Sequence, residues 1–266
     1  MTFIIVFISL LIERFFNWSH LRQWTWFNRY RAWLNDRFSG WTLDVVMTLY
    51  FLPPLVIVFG LNWLLTGWFF SIFKMIFCIA VLLYCLGPTN FWADVYSTLH
   101  ELHGGTPVNK LQLANTFHVH AHEDTSATHT ALARAFFIAA NERVFAVLFW
   151  FVLLGPVGAL LYRLMTLSPV PKGKQLFDWL PVRLLALIFA LGGHFTEVMK
   201  NWRHGVGEGL NTNNQLLTKC GMAALDPLGK ESVPTDEGLL EREALDLLDR
   251  SFIIGLVILA FFVLLL

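Results

Sequence analysis

The stretch AVLFWFVLLGPVGALLYRLMTL, residues 146–167, decides how the chain is to be read. It is apolar throughout, except that Gly155-Pro156 interrupts it halfway and Tyr162-Arg163 lies beyond the break. A spanning helix needs about 20 apolar residues. Two readings follow. In one, residues 144–166 form a single kinked span. In the other they form a re-entrant hairpin with its tip at Gly155-Pro156, which keeps Lys172 and Lys174 on the side of residue 143, as the positive-inside rule prefers. Backbone exposed at such a tip must be buried in protein.

The rest of the chain agrees with a bilayer. Of its 266 residues, 56% are hydrophobic and 14% charged, with mean hydropathy +0.57; a soluble domain carries about 25% charged residues. The expected fold class is therefore all-α: a multi-pass helical membrane protein with short, re-entrant or Gly-Pro-broken helices and cytoplasmic helical segments, and the lipid bilayer as its first partner. Formal net charge is zero, which argues against nucleic acid. Cys78, Cys85 and Cys220 lack a C-x-x-C spacing and read as buried, inert thiols.

Upstream, residues 2–12 are apolar but too short to span unaided. They lack a basic flank and a cleavage site, so they read as part of the mature protein rather than a signal peptide. Residues 19–40 alternate aromatics with Arg22, Arg29, Arg31 and Arg37, the pattern of a segment lying at a cytoplasmic membrane surface. Two apolar runs, 43–59 and 67–86, are joined by GLNWLLTG, which carries no Lys or Arg and belongs outside. Pro53-Pro54 is expected to kink or break the first run, and Gly87-Pro88 to stop the second. FWADVYSTLHEL (91–102) reads as a helix, Thr106-Pro107 as the start of another, and Asp124, Thr125 or Ser126 as the cap of a third that enters the membrane.

Downstream, WLPVRLLALIFALG (179–192) is a short apolar run ended by Gly192-Gly193. NTNNQ (211–215) and LDPLGKESVPTDEG (225–238) read as loops, TDEGLLEREALDLLDR as a capped amphipathic helix, and 251–266 as a terminal membrane helix. Five segments result: 1–88, membrane and interfacial helices; 89–143, polar helices; 144–195, membrane core; 196–250, polar helices; 251–266, the terminal helix.

Candidate chemistry gathers in two places. FHVHAHEDTSATH (117–129) holds four histidines. On a helix, His118, His122 and His129 fall within about 40° of one another, a possible metal face; on a strand, His118, His120 and His122 would share a side. The cap signals at 124–126 favour a connector instead, which leaves metal binding as the lesser reading. The second place is a polar pocket at one membrane face, framed by Glu13, Glu142, Arg143, Tyr162, Arg163, Asp178 and Arg183 if the hairpin holds. Such arginines suit a small anionic ligand. For Glu13 and Arg14 the competing reading is snorkelling to the interface. The chain has no P-loop, no G-x-S-x-G, no H-E-x-x-H and no evident internal repeat, and no pattern names a cofactor.

LIERFF (11–16), AVLFWFVLLGPVGALLYRL (146–164) and FDWLPVRLLALIFALGGHF (177–195) resemble the AmpE family of bacterial inner-membrane proteins associated with β-lactamase induction. Through it they resemble the wider CobD/CbiB group of cobalamin assembly. DWLPVRL carries the strongest likeness. Against the synthase pattern, Glu142 stands where an Asp is expected, Ile138-Ala139 replace an Glu-Asn pair, and Thr166-Leu167-Ser168-Pro169 replace NTLD. The histidine segment belongs to neither pattern. The resemblance implies an inner-membrane modulator in the signalling that links cell-wall fragments to β-lactamase expression; with the pocket residues it suggests a sensor of a cell-wall fragment or nucleotide-like ligand, a non-catalytic role being preferred to an enzymatic one. The alternative is an amide-forming ligase of CobD/CbiB type.

Overall fold

A computed structural model describes residues 2–16, 22–38, 43–66, 71–87, 89–103, 117, 125–168, 171–225 and 239–265. The described residues are helical, with no strand among them. The chain divides into two compact units, residues 1–90 with 147–170, and residues 91–146 with 171–266.

The first unit holds α1 (Thr2–Phe15), α2 (Thr25–Arg37), α3 (Leu43–Leu64), α4 (Ser71–Cys85) and most of α7 (Ala146–Leu167). Helix α1 packs on α4, and α3 on both α2 and α4. Pro53-Pro54 does not break α3, which runs unbroken through both prolines. Pro53 cannot donate to the Leu49 carbonyl. The Tyr30 hydroxyl of α2 donates to that oxygen instead, at 2.7 Å, so the missing bond is replaced from a neighbouring helix. Only 11% of the stretch Val46–Leu64 is buried, and Leu52, Val56, Ile57 and Phe59 point outward, as a lipid-facing helix requires.

The stretch 146–167 is settled by its two central glycines. Gly155 has φ 67° and ψ −155°, a conformation open only to glycine, so the helix bends there. A methyl group built on Gly158 would press into the Trp150 carbonyl oxygen and lie 2.6 Å from Cβ of Leu154. In a straight helix, residues eight apart are separated by about 12 Å. The two arms are therefore folded against each other. The chain thus doubles back at Gly155-Pro156, the geometry that a hairpin tip requires.

The second unit holds α5 (Phe91–His103), α6 (Thr125–Ala140), a π-helical turn (Asn141–Phe145), α8 (Pro171–Gly192), α9 (Phe195–Gly205), a 3₁₀ turn (Leu210–Thr212), α10 (Asn213–Leu225) and α11 (Leu239–Leu265). Helix α8 is its axis: α9, α10, α11 and the π turn all pack on it. Phe137 of α6 and Phe189 of α8 meet at 5.2 Å, and Leu185, Leu217 and Leu248 of the same unit are fully buried.

Three expectations are corrected here. NTNNQ is not a loop: it forms the 3₁₀ turn and opens α10, where Asn213 is anchored by its amide to the Gln175 carbonyl at 2.7 Å. The tail from residue 251 does not start a helix of its own but continues α11, because nothing in LLDRSFII breaks the ladder. The run 179–192 is the second half of a longer helix opened by Pro171 at its first turn. Three stretches are long and apolar enough to cross a bilayer: Val46–Leu64, Thr128–Leu167 and Lys172–Gly192. Residues 106–107 and 226–238, with their expected cap and loop, lie outside the described residues.

Candidate functional site

The π turn is the most unusual backbone feature of the second unit. One residue beyond the α-helical repeat widens the turn, a device often found at functional sites. It interrupts the Thr128–Leu167 stretch at NERVF and fans out three polar side chains in succession. Arg143 reaches Asp94 of α5, Nη1 to Oδ2 2.7 Å, with its guanidinium 5.5 Å from the Phe117 ring centre. Glu142 pairs with Lys174 of α8. Buried Asn141 lies 3.5 Å from Asp178 of α8 through its amide nitrogen, while its Oδ1 has no hydrogen-bond partner.

The Glu142–Lys174 pair also binds the hairpin's base. The chain leaves this unit after Ala146 and re-enters at Pro171, and the pair ties the two crossings together. Both of its side chains are close to 30% exposed, so water screens the pair; Arg143 and Asp94 are more enclosed but still wetted.

Arg183 stands elsewhere in this unit, with a different task. Its Nε donates to Val206 O (3.0 Å), Nη1 to Trp179 O (2.9 Å) and Asn213 Oδ1 (3.0 Å), and Nη2 to Glu208 O (3.1 Å). Its face stacks on Trp179 at 4.2 Å. Four of the five guanidinium N–H groups are thus engaged by the protein itself, and they pin the turn between α9 and α10.

In the first unit, Glu13 is buried and held by both terminal nitrogens of Arg22, one at 2.8 Å. The Asn90 amide donates to the Glu13 carbonyl, and Arg22 also donates to Gly87 O at 3.3 Å. Arg14, its neighbour, is exposed. The two charges thus part company: Glu13 faces inward and Arg14 outward. Arg163 donates from Nε to Cys85 O (2.7 Å), a cation on the last carbonyl of α4, where the helix dipole favours it. Arg31 does the same for α7 through Leu167 O, also at 2.7 Å. Tyr162 is fully buried.

Of the seven residues expected to frame a pocket, Glu142, Arg143 and Asp178 are thus gathered around the π turn. Glu13 and Arg163 sit in separate hydrogen-bond sets of the other unit. Asp94, Asn141, Lys174 and Arg22 complete these sets; Asn141 and Lys174 are visible as polar residues beside apolar runs, Asp94 carries no local signal, and Arg22, expected at a membrane surface, is buried against Glu13. Of the histidines, His118 and His122 lie outside the described residues. His129 Nδ1 lies 2.6 Å from Oε1 of buried Glu241, whose Oε2 has no hydrogen-bond partner. Among the described residues no group of three His, Cys, Asp or Glu is placed to hold a metal. The three cysteines are free and buried, and burial pushes the Cys220 thiol up to about 12.

Fold and site together define an all-helical membrane protein with charged pairs gathered where apolar stretches begin and end. The chain is similar to the cobalamin biosynthesis protein CobD of Chromobacterium violaceum, 31% identical over a match that covers 32% of each protein. It thus spans about a third of that relative's length. No family model matches the chain, and no solved structure matches it.

Proposed function

We propose that the chain is a regulatory protein of the bacterial inner membrane, of AmpE type, which binds a small anion at the π turn and thereby modulates β-lactamase induction. The ligand is a cell-wall fragment or a nucleotide-like molecule. The observation that carries the reading is the pairing of Glu142 with Lys174 and of Arg143 with Asp94, both in partial contact with water, beside an unpartnered Asn141 oxygen. A phosphate or carboxylate exchanges for Asp94 or Glu142 at little cost, because screened pairs are each worth only about 0–1 kcal/mol. Release of Glu142 from Lys174 then loosens the hairpin's base, which supplies a signal. Glu13, Arg163 and Arg183 serve this reading as framework, through the bonds of Glu13 to Arg22, of Arg163 to Cys85 O and of Arg183 to the α9–α10 turn.

Replacing Glu142 by Gln and Arg143 by Gln, at preserved protein level, is expected to shift inducible β-lactamase expression by about fivefold or more, the lower end of ordinary coupling between sites. Unchanged induction in both variants would contradict the proposal.

The second reading, an amide-forming enzyme of CobD/CbiB type, is favoured by the similarity to CobD. Against it, Ile138-Ala139 and Thr166-Leu167-Ser168-Pro169 stand where the resembling synthases carry polar residues. Complementation of a cobalamin-assembly mutant decides between them: growth supports the enzyme.

A further inference from the structure

The first unit contains a cavity of about 550 Å³ that none of these ion pairs enters. Thr2 of α1, Asn62 and Thr66 at the end of α3, Ser71 and Lys74 of α4, and Gly155 at the hairpin tip line it. It lies at the Ser71 end of α4, some 20 Å along that helix from the Arg163–Cys85 contact.

Lys74 is the one charged residue in the apolar helix SIFKMIFCIAVLLYC. A lysine at such a position ordinarily snorkels toward the headgroups. Here it turns to the cavity: Nζ lies 3.1 Å from Thr66 Oγ1, and that hydroxyl donates onward to Asn62 O at 2.8 Å. No Asp or Glu stands among the described lining residues. An ammonium has three donors, and a neutral hydroxyl occupies one of them. The fixed dipoles have the same sign. Helix α1 begins at Thr2, α4 at Ser71, and the returning arm of α7 at Pro156, so three positive helix ends meet one lysine with no acidic counterpart. Ile5, Met75 and Phe151 supply an apolar floor.

We propose that this cavity binds an amphiphilic anion, with a phosphate or carboxylate head on the Lys74 ammonium at the meeting helix ends and an apolar part against Ile5, Met75 and Phe151. The volume lies within the range of small-molecule sites, about 300–1,000 Å³. Such a head is offered by a membrane phospholipid or by a soluble anion. This site shares no residue with the π turn and stands or falls apart from the function proposed there.

The test uses the full chain in two arms. In one, it is placed in nanodiscs of phosphatidylcholine with and without phosphatidylglycerol, and retained lipid is counted by native mass spectrometry. In the other, inorganic phosphate is titrated against the detergent-solubilised protein and followed by tryptophan fluorescence. Preferential retention of phosphatidylglycerol assigns a lipid head, and saturable phosphate binding assigns a soluble anion; either supports the cavity. Lys74→Met is expected to weaken binding by about tenfold or more, the value of one charge-assisted hydrogen bond. Lys74→Arg should retain it and Glu142→Gln should not alter it. Near-UV circular dichroism checks the fold, and Lys74→Gln replaces Lys74→Met if that variant is misfolded. Wild-type protein that binds neither probe, or a folded Lys74 variant without charge that binds as tightly as wild type, overturns the proposal.

Discussion

Two pairs of opposite charges show what burial does to the same chemistry. Glu13 and Arg22 are almost wholly enclosed in the first unit, and their pairing is bidentate and extended by Asn90 and Gly87. Glu142 and Lys174 meet once in the second unit, each with more than a quarter of its side chain in water. An enclosed pair cannot lose a partner without stranding a charge in a low-dielectric interior. A wetted pair can, because water takes the partner's place. The first arrangement is a lock, the second an exchangeable contact, and only the second suits a site that must accept a ligand.

Breaking the lock should have the largest effect. Glu13→Ala leaves the Arg22 guanidinium buried and uncompensated, and is expected to cost about 3–5 kcal/mol of stability, read from denaturant or thermal unfolding in detergent. A cost as small as that of an exposed pair would erase the distinction between the two regions. Next comes the hairpin whose base the Glu142–Lys174 contact joins. Gly158→Ala drives a methyl group into the Trp150 carbonyl and is expected to cost roughly 1–3 kcal/mol; a neutral substitution would mean that the arms are not in close contact. For the exchangeable pair, a double-mutant cycle with Glu142→Gln and Lys174→Met should give a coupling of about 0.2–1 kcal/mol. A coupling of several kcal/mol would make this pair a second lock and remove the physical basis for exchange.

The smallest effect at neutral pH concerns Cys220. Its thiol is raised by burial from 9.0 to about 12. Between those values the unfolded chain has released the proton and the folded chain still holds it, so stability is undiminished below about pH 9 and falls as pH rises toward 12. Cys220→Ala should lose that part of the alkaline decline, measured as the difference between the two stability–pH curves. Parallel curves would show that the thiol is not shielded.

Local pattern made much of the architecture legible. Composition gave the helical membrane class. FWADVYSTLHEL, the helix start near residue 125 and the stops at Gly87 and Gly192 follow from caps, breakers and periodicity acting within a few residues. Two of the failures share one cause, which is that tertiary contacts overrode local preference. Pro53-Pro54 reads as a kink or a break, and α3 escapes the break where Tyr30 supplies the bond that Pro53 lacks. NTNNQ reads as a loop until Asn213 is tied to Gln175 and Arg183. The polar cluster at the π turn was legible by residue type at Glu142, Arg143 and Asp178. Its geometry was not, since no residue signal marks a π turn and Asp94 lies 49 positions from its partner Arg143.

The account depends most on the chain leaving and re-entering its second unit at one membrane face, since only then do Glu142 and Lys174 meet at a site open to ligand. Single cysteines at positions 142, 172 and 66, treated with a membrane-impermeant maleimide in sealed vesicles of known orientation, test this directly. The account predicts that Glu142→Cys and Lys172→Cys label from the same side and Thr66→Cys from the other. Labelling of 142 and 172 from opposite sides would contradict it.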